Sequence, residues 1–238
     1  MGPMTNIAIV NAQAHRDLQV KAKASPAFDA KHFVAVIVAE FPLLAVQCPI
    51  LLSKDAETGA FVCGAVLGFA QNENLFLTPD GWQGYRPLTL QRGPFYTVGE
   101  DLAIDLDDAR VGTDVGEPLF SPNGEMTPYL RGIINAMQEL RPGLERTKRF
   151  IETLMNLKLI EPIDISLSFD DGSRHELANL YTIDREALRA LPDAAVLDLF
   201  RRGYMQLIYL MIASLKHVPL MAERKNKQLS TGPAPAWG

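Results

Sequence analysis

The sequence has few of the features that identify a function at sight. Its two cysteines, Cys48 and Cys63, lie fifteen positions apart in apolar surroundings. They show neither the close spacing of a zinc or redox motif nor the number needed for a disulfide framework. We therefore expect two buried free thiols in a reducing compartment. The N-terminus also lacks the basic region and apolar run of a secretory signal, so the sequence predicts a cytoplasmic protein.

Several function classes are disfavoured by missing motifs or by charge. With 28 acidic and 23 basic residues the formal net charge is −5, whereas nucleic-acid binders are usually basic. There is no glycine-rich phosphate loop, dinucleotide fingerprint or GxSxG elbow. The longest nearly apolar stretch, Leu207–Leu215, is shorter than the roughly 20 residues that span a bilayer. We expect a protein partner or a small-molecule ligand, no nucleic acid and no membrane span, and the oligomeric state stays open.

The first half of the chain is predicted to be rich in antiparallel β-structure. Residues 1–26 indicate an arm or an edge strand, and 27–106 a β-rich lobe. A short helix is expected over Asp29–Glu40 because apolar residues recur there at helical spacing. Two apolar runs, Pro49–Ser53 and Phe61–Phe69, flank an acidic turn and predict a β-hairpin. Further strands are predicted at Asn74–Leu77, Tyr85–Gln91 and Leu102–Leu106.

The second half is predicted to be mainly helical, which makes the fold class α+β. Residues 107–126 are read as a connecting loop and 127–226 as a second lobe, although one continuous domain is the alternative. Pro142-Gly143 should divide residues 127–159 into a helical hairpin. Strict alternation from Ile163, followed by Asp171-Gly172, predicts a β-hairpin turning at 170–173. A long core helix should begin at Pro192, and 227–238 should form a disordered tail.

The order and character of several segments resemble the bacterial SapC family from about His15 to Ala222. The segments that carry the resemblance are AHRDLQV, HFVAVIVAEFP, CPILLSKD, GFAQNENLF, the stretch Tyr85–Phe95 ending in RGPF, GEPLFSPNGEMTPYL, LIEP and LYTIDREALRALPD. None is a short catalytic signature. The resemblance implies an accessory role, since genes for SapC-like proteins often stand near TonB-dependent receptors and near halogenase-like and cupin-like proteins. Such a setting suggests glycan or peptide uptake, or peptide modification.

An aromatic and arginine cluster is the sequence's best candidate for a binding surface. Exposed aromatic side chains beside arginines are typical of interface hot spots and of sugar or peptide platforms. The alternative is a strand with an aromatic core face and a basic solvent face. The cluster comprises Trp82, Tyr85, Arg86, Arg92, Phe95 and Tyr96.

His15 and Asp17 form an H-x-D pair, the spacing used by a two-histidine, one-carboxylate iron site when a strand points both side chains to one face. Such a site needs a distal histidine, and His175 and His217 lie far along the chain. The simpler interpretation is a local hydrogen bond for His15 and a solvated Asp17. The preferred prediction is thus a non-enzymatic ligand-binding or protein-binding accessory protein without cofactor. The alternative is an oxygenase-like iron enzyme.

A second pair, His32 and Glu40, should lie on one side of the predicted first helix, eight positions apart. In a pocket, Glu40 would be a buried acid with a raised pKa and His32 its partner across a substrate. The simpler alternative, which we favour, is that Glu40 accepts hydrogen bonds from loop backbone near Pro42.

Overall fold

A computed structural model describes residues 6–114 and 116–230 of the chain. Within this range the protein combines short helices, one long helix and four antiparallel sheets, which confirms the α+β class. The strands are β1 Ile7–Ile9, β2 Gln19–Val20, β3 Phe33–Ala35, β4 Ile50–Lys54, β5 Phe61–Val66, β6 Leu77–Thr78, β7 Gly81–Trp82, β8 Phe95–Val98, β9 Asp101–Asp105, β10 Val111–Gly112, β11 Glu117–Pro118, β12 Ile160–Ser168 and β13 Arg174–Ile183. The α-helices are α1 Pro26–Asp29, α2 Phe41–Leu44, α3 Leu88–Gln91, α4 Pro128–Asn156, α5 Arg185–Arg189, α6 Asp193–Arg201, α7 Tyr204–Ser214 and α8 His217–Ser230.

The chain forms two compact units, each built from two separate stretches. Unit 1 comprises Met1–Ala24 and Arg86–Pro142, and unit 2 comprises Ser25–Tyr85 and Gly143–Gly238. The boundaries between these units lie at 24–25, 85–86 and 142–143. The stretch 107–126, predicted as a connecting loop, contains strands β10 and β11, and its Leu119 is fully buried.

Unit 1 contains two three-stranded sheets, ordered β1-β9-β8 and β10-β2-β11. Strand β9 confirms the strand predicted at Leu102–Leu106, and β1 lies at an edge of its sheet. The core of the unit is a set of apolar side chains that are almost completely buried, namely Val20, Phe95, Ile104, Leu119, Phe120, Leu130 and Ile133.

Unit 2 is organised by a five-stranded sheet in the order β12-β13-β4-β5-β3. The predicted hairpins β4–β5 and β12–β13 are both present and antiparallel. The second turns where expected, since the amide of Gly172 donates to the carbonyl of Phe169 and Gly172 has a positive φ. Asn179 also has a positive φ, next to a register shift in which β13 carries one extra residue. Such a shift is a β-bulge.

The predicted helix at Asp29–Glu40 is wrong. Phe33–Ala35 instead forms β3, which pairs with β5. The Phe33 ring lies against Gly64 of β5, so close that a Cβ at position 64 would come within 2.1 Å of the ring. Only a glycine at position 64 leaves room for that ring, so the non-local pairing outweighs the local helical spacing.

The strand predicted at Tyr85–Gln91 is also wrong, because Pro87 precedes a short helix, α3. The strand predicted at Asn74–Leu77 is displaced to Leu77–Thr78, which pairs with Gly81–Trp82. An alternation of side-chain types over a few residues cannot distinguish a strand from a turn or a short helix. At Pro87 the fixed φ of proline favours the start of a helix.

The helical hairpin predicted for 127–159 is wrong as well. Helix α4 is continuous over 29 residues and contains Pro142. Just beyond the proline, Thr147 is buried, donates to the carbonyl of Gly143 at 2.7 Å and accepts the amide of Val38 at 2.9 Å. A Cβ on Gly143 would approach the side chain of Ile37 to 2.3 Å. This close packing stabilises the helix where its own hydrogen bonding is interrupted.

The C-terminal part is helical, with α6, α7 and α8 in place of one uninterrupted helix. Ile208 and Met211 are fully buried, as expected of a core helix, but Phe200 is 72% exposed. Residues 227–230, predicted to begin a disordered tail, belong to α8, and the rest of that tail lies outside the described residues. By length and composition alone, Tyr204–Ser230 could cross a membrane.

Candidate functional site

An apolar groove of about 530 Å³ lies in unit 2 between the outer part of the sheet and the second half of α4. Its volume falls within the usual range for small-molecule sites. Strands β3 and β5 and the β4–β5 turn form one wall, and α4 forms the other. The lining residues are Ala35, Val36, Lys54, Gly59, Ala60, Phe61, Val62, Cys63, Leu144, Thr147, Lys148, Ile151, Glu152 and Met155.

The helical wall of the groove follows from the spacing of its apolar residues. Leu144, Ile151 and Met155 recur at seven and four positions and so lie on one side of α4. Ile151 is buried, whereas Leu144 and Met155 are 55% and 51% exposed. Two large apolar side chains therefore stand at the mouth of the groove without cover from the unit itself.

The deep part of the groove is chemically inert. Cys63 is 1% exposed, and burial raises the pKa of its thiol far above its usual range. Cys48, elsewhere in unit 2, is also buried, and its pKa is raised to about 12. Both thiols stay protonated near neutral pH, because burial disfavours the thiolate. The prediction of buried free thiols is confirmed.

Three charged side chains line the groove: Lys54, Lys148 and Glu152. The ammonium of Lys54 lies 5.2 Å from the ring centroid of Phe61 and 5.1 Å from that of Tyr181. These rings pack edge to face at 4.9 Å. Cation–π contacts hold the ammonium in place while leaving its hydrogen-bond donors available. The groove thus combines an apolar interior with a net positive rim.

The predicted aromatic and arginine cluster is divided between the two units. In unit 2, the Trp82 ring stacks on Phe76 with centroids 6.3 Å apart, and its Nε1 is buried without a hydrogen-bond partner among the described residues. The Tyr85 hydroxyl donates to Oε1 of Glu40 at 3.1 Å, and its amide donates to Gln47. Both aromatic side chains are therefore engaged inside their own unit.

In unit 1, Phe95 is fully buried in the core, and Arg86 donates to the carbonyl of Ala22 at 3.2 Å. The Arg92 guanidinium lies 4.5 Å from the ring centroid of Tyr96 and donates to the carbonyl of Phe95. Among the cluster residues of unit 1, Arg92 and Tyr96 are both partly exposed and in cation–π contact with each other. A binding role for that pair stays a prediction.

The fold buries His15 but leaves Asp17 exposed. His15 is buried, and its Nδ1 accepts the amide of Asn11 at 3.1 Å, whereas Asp17 is exposed. Across residues 6–114 and 116–230, no three His, Cys, Asp or Glu side chains come together as metal ligands. This arrangement matches the local hydrogen bond that the sequence offered as the simpler interpretation.

His32 and Glu40 are not on one helix face, since strand β3 lies between them. Glu40 is buried and accepts the amide of Ile37 at 2.9 Å as well as the Tyr85 hydroxyl. This is the backbone-binding role that the sequence favoured, although the amide comes from Ile37. His32 lines a separate cavity of about 510 Å³ together with Ser53, Gln71 and Glu176 among others, and Glu40 is not among its lining residues.

Comparison with known families now identifies the chain. The SapC family model matches residues 10–220. The chain belongs to the SapC family. Searches of curated proteins and of solved structures gave no match. The family match names no functional residues. The assignment of the groove as a binding site therefore depends on its geometry.

Sequence reasoning missed the groove because its walls come from three distant stretches, 35–36, 54–63 and 144–155. One local signal was present: Met155 continues the seven-and-four spacing of Leu144 and Ile151 on α4. The opposite wall depends on the pairing of β3 with β5, which the helical interpretation of residues 29–40 concealed.

Proposed function

We propose that this SapC family protein is a ligand-binding accessory protein, and that the groove of unit 2 is its binding site. The observation that carries the proposal is the groove's apolar interior beneath Lys54 and Lys148. Large ligand sites in proteins are mostly apolar, with a few polar groups that fix orientation. This one offers no activated nucleophile, since the thiol that lines it is protonated.

The ligand class follows from the lining. An apolar body would displace water from Val36, Val62 and Ile151, and an acidic group would pair with Lys54 or Lys148. Glycans carry hydroxyls over most of their surface and would leave them without partners here. We therefore propose an amphiphilic anion as the ligand. A fatty acid and an acidic peptide with a large apolar side chain share that chemistry. The peptide would agree with the role in peptide uptake or modification that the family's gene context suggests.

Fluorescence titration with the apolar anion 8-anilinonaphthalene-1-sulfonate tests the site. We expect saturable binding to the folded protein and competition by dodecanoate or by an acidic leucine-containing peptide. Competition by only one of the two would identify the source of the ligand.

The variant Leu144→Ser/Met155→Ser removes the exposed apolar mouth and should weaken probe binding about tenfold, as expected from the lost apolar contact area. Val98→Ser/Met126→Ser is the matched control, because it removes two similarly exposed apolar side chains from unit 1. Equal binding by both double variants would reject the groove as the site.

A further inference from the structure

Helix α7 has an unusual surface for a helix at the outside of a compact unit. Its eleven residues, Tyr204–Ser214, include no charged side chain. Only Ile208, Met211 and Ser214 are buried. The most apolar window of Tyr204–Ser230 has a mean hydropathy of 1.3, yet 22% of it is buried. A helix that is apolar all round normally packs on all sides or meets lipid.

Four exposed residues follow one another along this stretch. Tyr209 and Ala213 are four positions apart on one face of α7, Lys216 lies in the turn that follows, and Leu220 lies on α8. Tyr209 and Leu220 are 58% and 54% exposed. We call these four residues the outer stripe.

The opposite side of the same stretch is fixed to unit 2. The Ser214 hydroxyl accepts the amide of Ile50 at 2.9 Å and donates to the carbonyl of Met211 at 2.7 Å. His217 Nε2 lies 3.0 Å from the carbonyl oxygen of Ala45. These contacts hold the helix along the unit, so the outer stripe faces away from the core.

The stretch that carries the outer stripe is basic in an otherwise acidic chain. Between residues 201 and 230 there is one acidic residue, Glu223, and the chain as a whole has a formal net charge of −5. The basic residues of this stretch are Arg201, Arg202, Lys216, Arg224, Lys225 and Lys227. Lys225 is buried and pairs with Glu73 at 2.9 Å, and Arg202 pairs with Asp198 at 3.3 Å. The other four are exposed or half-exposed.

We propose that the outer stripe docks on an anionic lipid surface, with the helix lying in the plane of the interface. Tyr209 and Leu220 would enter the boundary between headgroups and acyl chains, while Lys216 and Arg201 would meet lipid phosphates. Apolar and aromatic side chains flanked by lysine and arginine are the pattern of interfacial helices, and each basic side chain adds attraction to anionic lipid.

Two other occupants fit the surface less well. A second copy would place two basic surfaces against each other, which like-charge repulsion opposes. A membrane-spanning arrangement would require Ser214 and the buried Lys225 to leave the contacts that fix them to unit 2. The proposal does not depend on the groove, since none of its lining residues belongs to this stretch.

Co-sedimentation of the full chain with vesicles tests the proposal. We expect binding to phosphatidylcholine vesicles that contain phosphatidylglycerol, weak binding to phosphatidylcholine alone, and release by high salt. Tyr209→Ser/Leu220→Ser should weaken binding about tenfold through lost apolar burial. Lys216→Glu/Arg201→Glu should weaken it at least as much.

Two control variants carry the same kinds of substitution outside the outer stripe. Val98→Ser/Met126→Ser and Lys31→Glu/Arg146→Glu make the same kinds of change at exposed positions elsewhere and should bind vesicles as the wild type does. Thermal unfolding by circular dichroism verifies that each variant folds. Equal binding to neutral vesicles, resistance to high salt, loss of binding in the controls, or no vesicle binding at all would overturn the proposal. So would a dimer in solution that Leu220→Ser dissociates.

Discussion

The groove of unit 2 and the aromatic segment Trp82–Tyr96 are both rich in large apolar side chains, but they use them differently. In the segment, Phe95 is fully buried and Tyr85 is hydrogen-bonded to Glu40. In the groove, Leu144 and Met155 stand half in solvent beside a cavity. The difference teaches that aromatic content does not identify a binding surface. What matters is whether the unit itself already covers the side chains.

The largest effect should come from Phe95, which this comparison assigns to the core of unit 1. Phe95→Ala should lower the free energy of unfolding by about 3–5 kcal/mol, because it leaves a cavity among buried neighbours. Tyr96→Ala, one position along and half-buried, should cost well below that. Urea denaturation followed by circular dichroism measures both. If both variants lost only a small and similar free energy of unfolding, Phe95 would not be a core residue and the contrast with the groove would be wrong.

A smaller effect is expected at Tyr85. Tyr85→Phe keeps the ring but removes the hydroxyl that donates to Glu40, so it should lower the free energy of unfolding by about 1–2 kcal/mol. Tyr96→Phe is the control, since the described contacts of Tyr96 involve its ring and not its hydroxyl. If Tyr85→Phe is neutral in denaturation while ligand binding falls, the segment is a binding surface after all.

The stability of unit 1 should depend on pH through Tyr129, a partly buried tyrosine beside Phe95. Tyr129 packs on Phe95 with ring centroids 6.3 Å apart, and burial raises the pKa of Tyr129 from 10.0 to about 12. The unfolded chain would ionise first, so stability should be intact below pH 10 and decline as the pH rises towards 12. Tyr129→Phe should flatten this decline in thermal unfolding curves. An unchanged curve would show that Tyr129 ionises freely in the fold.

The smallest effect on stability should be at the groove. Leu144→Ser/Met155→Ser should change the free energy of unfolding by less than about 1 kcal/mol, because both side chains are half-exposed. Denaturation of this double variant against the wild type measures the change. A loss of several kcal/mol would mean that these residues hold the fold together and would make the groove a packing feature.

Sequence patterns predicted elements whose determinants are local. Alternation from Ile163 and the Asp171-Gly172 turn predicted the hairpin of β12 and β13 correctly. Asp184 is a local determinant of the same kind, because it caps α5 by accepting two backbone amides. Patterns failed where distant residues decide. Phe33 lies in a strand because β5 presents Gly64, and α4 passes through Pro142 with Thr147 bound to Val38 just beyond it. The groove depends on both of these long-range contacts, so it could not be read from local spacing.

The most direct test of the central claim is a nuclear magnetic resonance titration of the labelled protein with dodecanoate. It follows the methyl groups of Val36, Val62 and Ile151 in the groove and the indole N–H of Trp82 in the aromatic segment. Our account predicts saturable shifts of the groove methyls and an unmoved Trp82 indole. Shifts at Trp82 with unmoved groove methyls would contradict it and make the aromatic segment the binding site.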